Sequence, residues 1–255
     1  MKIKGKNELF LLEEIVKKNF SAKYKDSALG VIWSFLRPLL LMVILTIVFS
    51  TFFKGSVENY PVYLLAGRCV YDFFSGTVNL SMNAIYGNKN ILQKTAAPKY
   101  IFVVASVISE FINFFISVLL LIGVMLVTRS SFHITILLSI IPIISLIMMV
   151  TGLGLFLSIV CVYYTDVRHL WSVFSQLIMY TSAIFYPMDI VPEPYHQYLI
   201  LNPIFWIIDQ FRDYFIYGIL PEFLYVINSL LLSAIILVFG IIIFKKYENK
   251  VSMKF

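Results

Sequence analysis

Three ionisable residues stand inside long apolar stretches of this sequence, where a charge is costly and usually has a function. Arg68 and Asp72 are four positions apart, and Glu110 lies in the next apolar stretch. The spacing of Arg68 and Asp72 predicts an ion pair along one helix face, either a structural pair near the outer membrane surface or a substrate contact. Glu110 has no partner nearby in sequence, so we expect it to face the interior of a helical bundle or a neighbouring subunit.

Motifs for catalysis and nucleotide binding are not visible in the chain. Neither the Gly-x-x-x-x-Gly-Lys-Ser/Thr nor the Gly-x-Gly-x-x-Gly pattern of phosphate-binding loops occurs, so any ATP and Mg²⁺ must be bound by a partner subunit. His133, His169 and His196 lie in three separate loops without zinc-ligand spacing. Cys69 and Cys161 lie in apolar stretches and are interpreted as packing residues. We therefore expect no catalytic residue, no metal site and no cofactor in this chain.

Aromatic side chains are abundant instead, with 16 Tyr, 23 Phe and 3 Trp. Aromatic rings stack on the C–H faces of sugars without binding them tightly, which suits a conduit through which a long glycan slides. On this basis we predict a substrate pathway that includes Tyr63, Tyr71, Phe74, Tyr180 and Tyr186. Core packing and an interfacial aromatic belt are the alternative roles for each of these residues.

The composition, 60% hydrophobic and 13% charged, exceeds what the core of a soluble protein could bury. Six apolar runs are long enough to cross a bilayer, at roughly 36–53, 61–84, 100–127, 134–163, 170–186 and 223–244. We predict an all-α integral membrane protein with a single domain over 1–255. It would comprise a cytoplasmic interface helix region at 1–35, a six-helix bundle at 36–244 and a cytoplasmic tail at 245–255.

The distribution of basic residues predicts the orientation of this bundle. Of the 20 Lys and Arg residues, eight precede residue 38, three lie in the loop 85–99, one is Arg168 and four follow residue 244. All of these fall on the side that holds both termini, so the positive-inside rule makes the termini cytoplasmic. Topology thus explains the net charge of +6, and we expect no nucleic-acid partner.

The segment 7–22 precedes the first predicted span and has the pattern of an amphipathic helix. Leu9, Leu12, Val16 and Phe20 share one helical face. Such a helix could lie in the headgroup plane or pack on its own protein. In both cases it would sit at the cytoplasmic surface.

Two short cytoplasmic connections are also predicted. The polar loop 85–99 should form a short helix that ends at Pro98. The turn 163–169 is very short, and Asp166 and Arg168 are its charged residues. Between the spans, the small residues Gly152 and Gly154 should let two helix backbones approach closely.

The segment 187–222 carries five prolines and two apolar runs that are too short to cross a bilayer. Helices of this length can dip into a membrane and return where protein shields their backbone, so we predict a re-entrant hairpin at the outer face. Its residues Pro187, Asn202 and Pro203 would form an outer gate. The alternative is a plain extracellular loop, which would expose many apolar side chains to water.

Motifs along nearly the whole chain resemble one transporter family. In order they are Lys23-Tyr24-x-x-Ser27-x-Leu29-Gly30-x-x-Trp33-x-x-Leu36-x-Pro38-Leu39, Gly67 through Phe73-Phe74, Asn88-x-x-Ile91-x-x-Lys94-x-x-x-Pro98, Gly152-Leu153-Gly154-x-x-Leu157-Ser158 with Asp166 and Arg168, Ser182-x-Ile184-x-Tyr186-Pro187, and Leu201-Asn202-Pro203 with Phe211-Arg212. Together they resemble the permease subunit of bacterial ABC type-2 polysaccharide exporters, which move O-antigen, capsular polysaccharide or teichoic acid. The chain departs from that pattern at Asp166-Val167-Arg168, where many members have Arg-Asp, and at Arg68, where an apolar residue is usual.

The resemblance implies a homodimeric channel in which each copy contacts an ABC ATPase through the N-terminal helix and two loops. The residues that would couple to the ATPase are Asn88, Lys94, Pro98, Asp166 and Arg168. The implied substrate is a lipid-linked polysaccharide that is exported across the cytoplasmic membrane, in contact with membrane lipid. Two rival functions are export of a small drug or lipid, and transfer of lipid-linked sugars by acids such as Asp189, Glu193, Asp209 and Asp213.

Overall fold

A computed structural model describes residues 2–24, 29–50, 57–94 and 97–251, and these residues are helical with no strand among them. The α-helices are α1 (Lys2–Tyr24), α2 (Trp33–Phe49), α3 (Tyr60–Met82), α4 (Lys89–Lys94), α5 (Tyr100–Val127), α6 (Ile140–Tyr163), α7 (Val167–Thr181), α8 (His196–Ile200), α9 (Pro203–Arg212) and α10 (Phe223–Val251). Short 3-10 helices cover Gly30–Ile32, Tyr86–Asn88, Ile134–Ser139, Met188–Ile190 and Glu193–Tyr195, and a π-helix covers Asp213–Tyr217.

Three helical segments of the described residues are long and apolar enough to cross a membrane. They are Tyr100–Val127, Ile134–Tyr163 and Phe223–Lys250. This agrees with the predicted all-helical integral membrane class. The other three predicted spans correspond to α2 with 17 residues, α3 with 23 residues and α7 with 15 residues. The count of six spans stays a prediction, because α2 and α7 are shorter than the roughly 20 residues that a straight crossing needs.

The helix α3 lies at the centre of the bundle, with α5, α6 and α9 packed around it. It begins with Asn59 as N-cap, whose side chain accepts a hydrogen bond from the amide of Val62, and with Pro61 in its first turn. Most of its residues are buried, including five large aromatic side chains. The position of α3 explains why it carries the polar groups that hold the neighbouring helices.

Close backbone contact joins α6 to α10 and to α3. A Cβ atom added at Gly152 would collide with the backbone of Ile236, and one added at Gly240 would collide with the backbone of Gly152. Across the other face of α6, a Cβ atom at Gly154 would come within 2.9 Å of the Ser81 side chain. The predicted close approach at Gly152 and Gly154 is therefore confirmed, and it fixes α6 against two partners.

The N-terminal helix α1 packs on the protein itself. Ile15 is its buried residue, and Leu12 and Val16 are half-buried beside it. The cluster around Ile15 comprises Ala84, Ile85, Ile101, Phe102 and Phe244. Of the two alternatives left open by the sequence, the structure thus has the helix resting on the beginning of α5. Leu9 and Phe10 stay more than half exposed on the opposite side, at 61% and 67%.

The segment 187–222 folds into short helices rather than an extended loop. The helix α9 is the main one, and it packs against α3, α6 and α10. Its residues Ile204, Ile207, Ile208 and Phe211 are buried, which argues against a plain extracellular loop. After α9 the chain passes through the π-helix and turns at Gly218, whose φ of +69° lies in the left-handed region.

Candidate functional site

Two loops predicted to couple to an ATPase lie next to each other. The guanidinium carbon of Arg168, at the start of α7, is 4.9 Å from the centre of the Tyr86 ring. This is a cation–π distance. Tyr86 opens the 3-10 turn that leads into α4. The turn after α6 and the loop before α5 therefore form one surface at the same end of the bundle.

Asn88 joins the N-terminal helix to that surface. Its side chain is buried, and its Nδ2 donates a hydrogen bond of 2.7 Å to the carbonyl of Ala84. The Nζ of Lys18 on α1 donates to the Asn88 Oδ1, also at 2.7 Å. Asn88 was predicted as a coupling residue, and the structure places it under α1 as a link between elements.

The other predicted coupling residues are more accessible or have a local role. Lys94 and Asp166 are exposed. The carbonyl of Asp166 accepts from the amides of His169 and Leu170 at 3.0 and 3.1 Å, which begins α7. The short helix α4 ends at Lys94, not at Pro98. Pro98 instead precedes α5, where its carbonyl accepts from the amide of Ile101 at 3.2 Å, and residues 95–96 lie outside the described part.

Three predicted pathway aromatics, Tyr63, Tyr71 and Phe74, are buried on α3. The Tyr63 hydroxyl donates to the carbonyl of Tyr186 at 2.9 Å, and the Tyr71 hydroxyl donates to the carbonyl of Ser175 at 2.6 Å. Both acceptors belong to α7 or to the turn after it. Phe74 is 1% exposed and packs within the core. In the single chain these side chains hold α3 to the α7 region.

Tyr180, by contrast, is exposed on α7. The Tyr186 hydroxyl donates to its carbonyl at 2.6 Å, so the two predicted pathway residues are adjacent. Further apolar residues are exposed on the same helix, namely Leu170, Val173, Phe174 and Leu177. The helix α7 therefore carries an apolar surface that the single chain leaves uncovered.

Asn202 and Pro203, predicted to form an outer gate, begin α9. The Asn202 Oδ1 accepts from the amide of Ile204 at 3.0 Å, as an N-cap does, and Pro203 follows at the first helical position. The Asn202 Nδ2 turns the other way and reaches the end of α7. Its acceptors there are the carbonyl of Ile178, the Thr181 Oγ1 and the Ser182 Oγ, at 3.1, 2.9 and 2.8 Å. Pro187 is buried in the preceding turn.

Arg212 is the residue whose role sequence reasoning missed. The sequence singled it out only as part of the Phe211-Arg212 motif, but it is 3% exposed inside the protein. Its guanidinium donates to the carbonyl of Tyr63 at 3.3 Å, to the carbonyl of Ala183 at 3.0 Å and to the carbonyl of Ile184 at 3.1 Å. Its Nη2 also occupies the space beside Gly67, where an added Cβ atom would be 2.5 Å away.

These contacts join three segments, namely α9, α3 and the turn after α7, and we call this arrangement the Arg212 pin. Buried charges persist when their donors are satisfied, and here carbonyl dipoles do this rather than a carboxylate. The turn that supplies two of the carbonyls contains Ala183, whose φ of +48° is unusual for a residue with a side chain. The sequence carries a weak signal for this arrangement in the small residue Gly67, which leaves room for the guanidinium.

Burial also affects an acid next to Arg212. It raises the pKa of the Asp213 carboxyl to about 7, since a charge is poorly solvated there. The nearby Asp209 carboxyl raises this pKa further, and the Arg212 guanidinium opposes both effects. Burial likewise raises the pKa of Asp209. The end of α9 and the π-helix after it therefore contain two acids that hold their protons more tightly than free carboxyls do.

The intramembrane charges singled out from the sequence meet at a cavity of about 610 Å³ between α2, α3 and α5, beside the end of α1. We call this the charged cavity. Its charged lining residues are Lys23, Arg37, Arg68, Asp72 and Glu110. It also includes Tyr71 of the predicted pathway.

Two ion pairs lie in the charged cavity. The predicted pair is confirmed, because the Arg68 Nη2 is 2.9 Å from the Asp72 Oδ1 and the Arg68 Nε donates to the Oδ2 at 3.1 Å. Arg68 is eight residues into α3, about 12 Å along its axis from Tyr60, and the position of the pair relative to the membrane surface stays a prediction. The second pair joins the Lys23 Nζ to the Glu110 Oε2 at 2.7 Å. Glu110 thus faces the bundle interior, one of its two predicted options.

Comparisons with known proteins agree with this architecture. The model of the family described as ABC-2 type transporter matches residues 11–216. An O-antigen export system permease protein, RfbA, of Klebsiella pneumoniae is 26% identical over 242 residues, which cover 94% of this chain and 93% of that protein.

Two further relatives are more distant. The protein of the same name from Myxococcus xanthus is 24% identical over 83% of this chain and 82% of its own length. The polysialic acid transport protein KpsM of Escherichia coli is 21% identical over 93% of each chain. Because the family model covers most of the sequence, this chain belongs to the ABC-2 type transporter family.

Proposed function

We propose that this chain is the transmembrane subunit of an ABC transporter that exports a lipid-linked polysaccharide across the bacterial cytoplasmic membrane. The observation that carries the proposal is the similarity to O-antigen and polysialic acid transport proteins over more than nine-tenths of the chain. The substrate would be an O-antigen, a capsular polysaccharide or a teichoic acid. ATP and Mg²⁺ would be bound by a separate ATPase subunit.

The cytoplasmic docking surface for that ATPase would consist of α1, the 86–94 loop and the 164–169 turn. The contacts of Arg168 with Tyr86 and of Lys18 with Asn88 support this, because they join the three elements into one unit. A movement of the ATPase against the exposed side chains Lys94 and Asp166 would then be transmitted to α7 and to the start of α5 together. In this orientation both termini are cytoplasmic and the chain crosses the membrane six times.

Two copies of the chain would form the channel. The uncovered apolar surface of α7 supports this, since it carries Tyr180 beside Tyr186 and needs either lipid or a second copy to cover it. The α8–α9 hairpin would be re-entrant at the outer face and act as a gate through Pro187, Asn202 and Pro203. The hydrogen bonds from Asn202 to the end of α7 would couple that gate to the pathway helix.

The decisive experiment is export by the chain together with its ATPase in a strain that lacks its own permease. Surface glycan should appear with the unmutated pair and be lost, with polymer trapped inside the cell, when Asp166 and Arg168 are both replaced by alanine. Replacement of the exposed Lys245 by alanine is the matched control, because it removes a charge at the same face of the bundle. Normal glycan export by the double variant would remove these residues from the coupling role.

The rival functions give different results in the same strain. An exporter of small drugs or lipids would change resistance to inhibitors and leave surface glycan unaffected. A transferase would need no ATPase, so turnover of a lipid-linked sugar by the purified chain alone would support it. Orientation is tested separately with a cysteine in place of Lys94, which should react with an impermeant thiol reagent in opened cells and not in intact ones.

A further inference from the structure

The charge balance of the charged cavity is not complete. Lys23 is paired with Glu110 and Arg68 is paired with Asp72, as described above. Arg37 remains, and no carboxylate of the described residues lies within salt-bridge distance of it. Among the residues that the structure describes, the lining of the cavity therefore has three cations against two anions, an excess charge of +1.

Arg37 is placed where an unpaired charge is costly. It lies one turn after Trp33, inside the apolar helix α2. An arginine within a membrane helix usually faces a partner anion or water and marks a path for a ligand. Both Arg37 and Lys23 are exposed at the mouth of the cavity, while Glu110 is buried at its floor. The Asp72 side chain is also partly exposed, at 42%, so an anion entering the cavity would meet Arg37 and Lys23 beside one paired carboxylate.

Donors are available for such an anion. Arg68 uses its Nε and Nη2 on Asp72, but its Nη1 has only the sulfur of Met179, at 3.4 Å, which is a weak acceptor. The ammonium of Lys23 carries three N–H groups, and it donates one of them to the Glu110 Oε2. Guanidinium groups bind phosphate oxygens through paired hydrogen bonds, which makes phosphate the anion best matched to Arg37 and Arg68.

The walls of the cavity indicate that this phosphate is attached to a lipid. Beside the charges, Pro38, Leu41, Phe73 and Phe114 form apolar parts of the lining. Glu110 is ten residues into α5, about 15 Å along its axis, so the cavity reaches to the depth of the hydrocarbon. A free ion would have to leave water to enter here. A lipid headgroup would enter from the membrane, and its chain would stay in the apolar surroundings.

We propose that the charged cavity binds the phosphate-bearing headgroup of a lipid, with Arg37 as the principal contact and Arg68 and Lys23 as supporting donors. This deepens the proposed function and rests on it, because the headgroup would be that of the lipid-linked glycan. When the cavity is empty, the two carboxylates offset two of its three cations.

The test is a binding measurement on the purified chain with its ATPase in detergent. The probes are farnesyl diphosphate, farnesol and inorganic diphosphate. We expect farnesyl diphosphate to bind at least about tenfold more tightly than farnesol, the effect of one or two charge-assisted hydrogen bonds. It should also bind at least about tenfold more tightly than inorganic diphosphate, because its chain is partly buried against apolar side chains. Equal affinity for farnesol means that only the chain is recognised and overturns the proposal. Equal affinity for inorganic diphosphate assigns the cavity to a free anion and overturns the lipid headgroup.

Variants then locate the binding. Arg37→Gln should weaken farnesyl diphosphate binding at least about tenfold, and Arg37→Lys should lose less, since it keeps the charge. The double variant Arg68→Gln/Asp72→Asn keeps the excess charge at +1, so it should weaken binding less than Arg37→Gln does. Lys245→Gln is the control and should bind normally. Unchanged binding by Arg37→Gln contradicts the proposal, whereas the comparison of the three probes needs no variant at all.

Failure of the headgroup site and failure of the proposed function give different results. If farnesyl diphosphate binds as expected but no surface glycan appears, the proposed polysaccharide substrate is wrong and the headgroup site stands. If export is normal in Arg37→Gln cells, the headgroup site is wrong and the proposed function stands.

Discussion

Arg212 and Tyr63 are stacked on each other in the interior of the bundle. The guanidinium carbon of Arg212 is 3.5 Å from the centre of the Tyr63 ring, and the Arg212 Nη1 donates to the Tyr63 hydroxyl at 2.8 Å. The two residues are separated by 149 positions in sequence. Through this pair α9 is attached to α3, and the turn after α7 is attached to both.

The Arg212 pin should be among the more sensitive points of the fold. Replacing Arg212 by methionine fills a similar volume but removes the guanidinium donors of the carbonyls of Tyr63 and Ile184, while the Ala183 carbonyl keeps the Tyr63 hydroxyl as a donor at 3.2 Å. We expect a loss of about 2–4 kcal/mol in unfolding free energy, from two or more buried acceptors left unpaired. Thermal unfolding of the purified protein in detergent measures this. Arg212→Lys keeps the charge but not the planar fork, so it should recover only part of the loss, and full recovery would contradict the geometric role.

The crossing of α6 and α10 should not tolerate a methyl group. Gly152→Ala places Cβ against the backbone of Ile236, which cannot move aside as a side chain could. We expect a destabilisation of about 1–3 kcal/mol, or more if the helices must separate. Gly123→Ala is the matched control, since a Cβ atom there meets nothing within 4 Å. That variant should be neutral or slightly stabilising, because alanine is the better helix former. Melting temperatures of the two variants measure both effects. Equal changes in the two would contradict the close crossing of α6 and α10.

The stability of the folded protein should decrease as the pH rises, because of Asp213. The folded protein raises the pKa of this carboxyl from its ordinary value of 3.8 to about 7, so folded protein binds the proton more tightly than unfolded chain does. The contribution of Asp213 is therefore fully present below pH 3.8 and is lost as the pH rises to about 7. We expect the melting temperature of the native protein to decline from pH 5 to pH 8. Asp213→Asn should show a smaller decline over the same range, and an equal slope would mean that another group is responsible.

The contact between Arg168 and Tyr86 should matter for export more than for stability. Tyr86→Leu removes the ring on which the guanidinium rests, at a cost of only about 0.5–1 kcal/mol for a partly exposed pair. If the contact transmits motion between the two loops, glycan export should fall several-fold while ATP hydrolysis by the partner continues. Tyr86→Phe retains the ring and should export normally. Loss of export in both variants would point to the hydroxyl of Tyr86 instead.

Features that depend on local chemistry could be predicted from the sequence. The i, i+4 spacing of Arg68 and Asp72 was sufficient for their ion pair, and Asn202 followed by Pro203 begins a helix as such residues do elsewhere. The small residues Gly152 and Gly154 also indicated a close helix contact. In each case the relevant atoms are near in sequence, or the residue type itself permits the contact.

Features that depend on distant segments could not be predicted. Lys23 and Glu110 are 87 positions apart, and nothing near either residue identifies the other as its partner. The pin at Arg212 was missed for the same reason, because its acceptors are backbone carbonyls, which every residue has. The buried state of Tyr63 and Phe74 was equally hidden, since an aromatic in a membrane helix can face a pathway, a lipid or a core.

The glycine contact between α6 and α10 has a mechanical consequence. Two helices whose backbones touch cannot slide or rotate against each other without breaking that contact. We therefore expect α6 and α10 to move as one rigid unit during transport. The helices α2 and α7 have few buried residues, so we expect these two helices to move more easily. We therefore expect transport to move α2 and α7 relative to a rigid pair formed by α6 and α10.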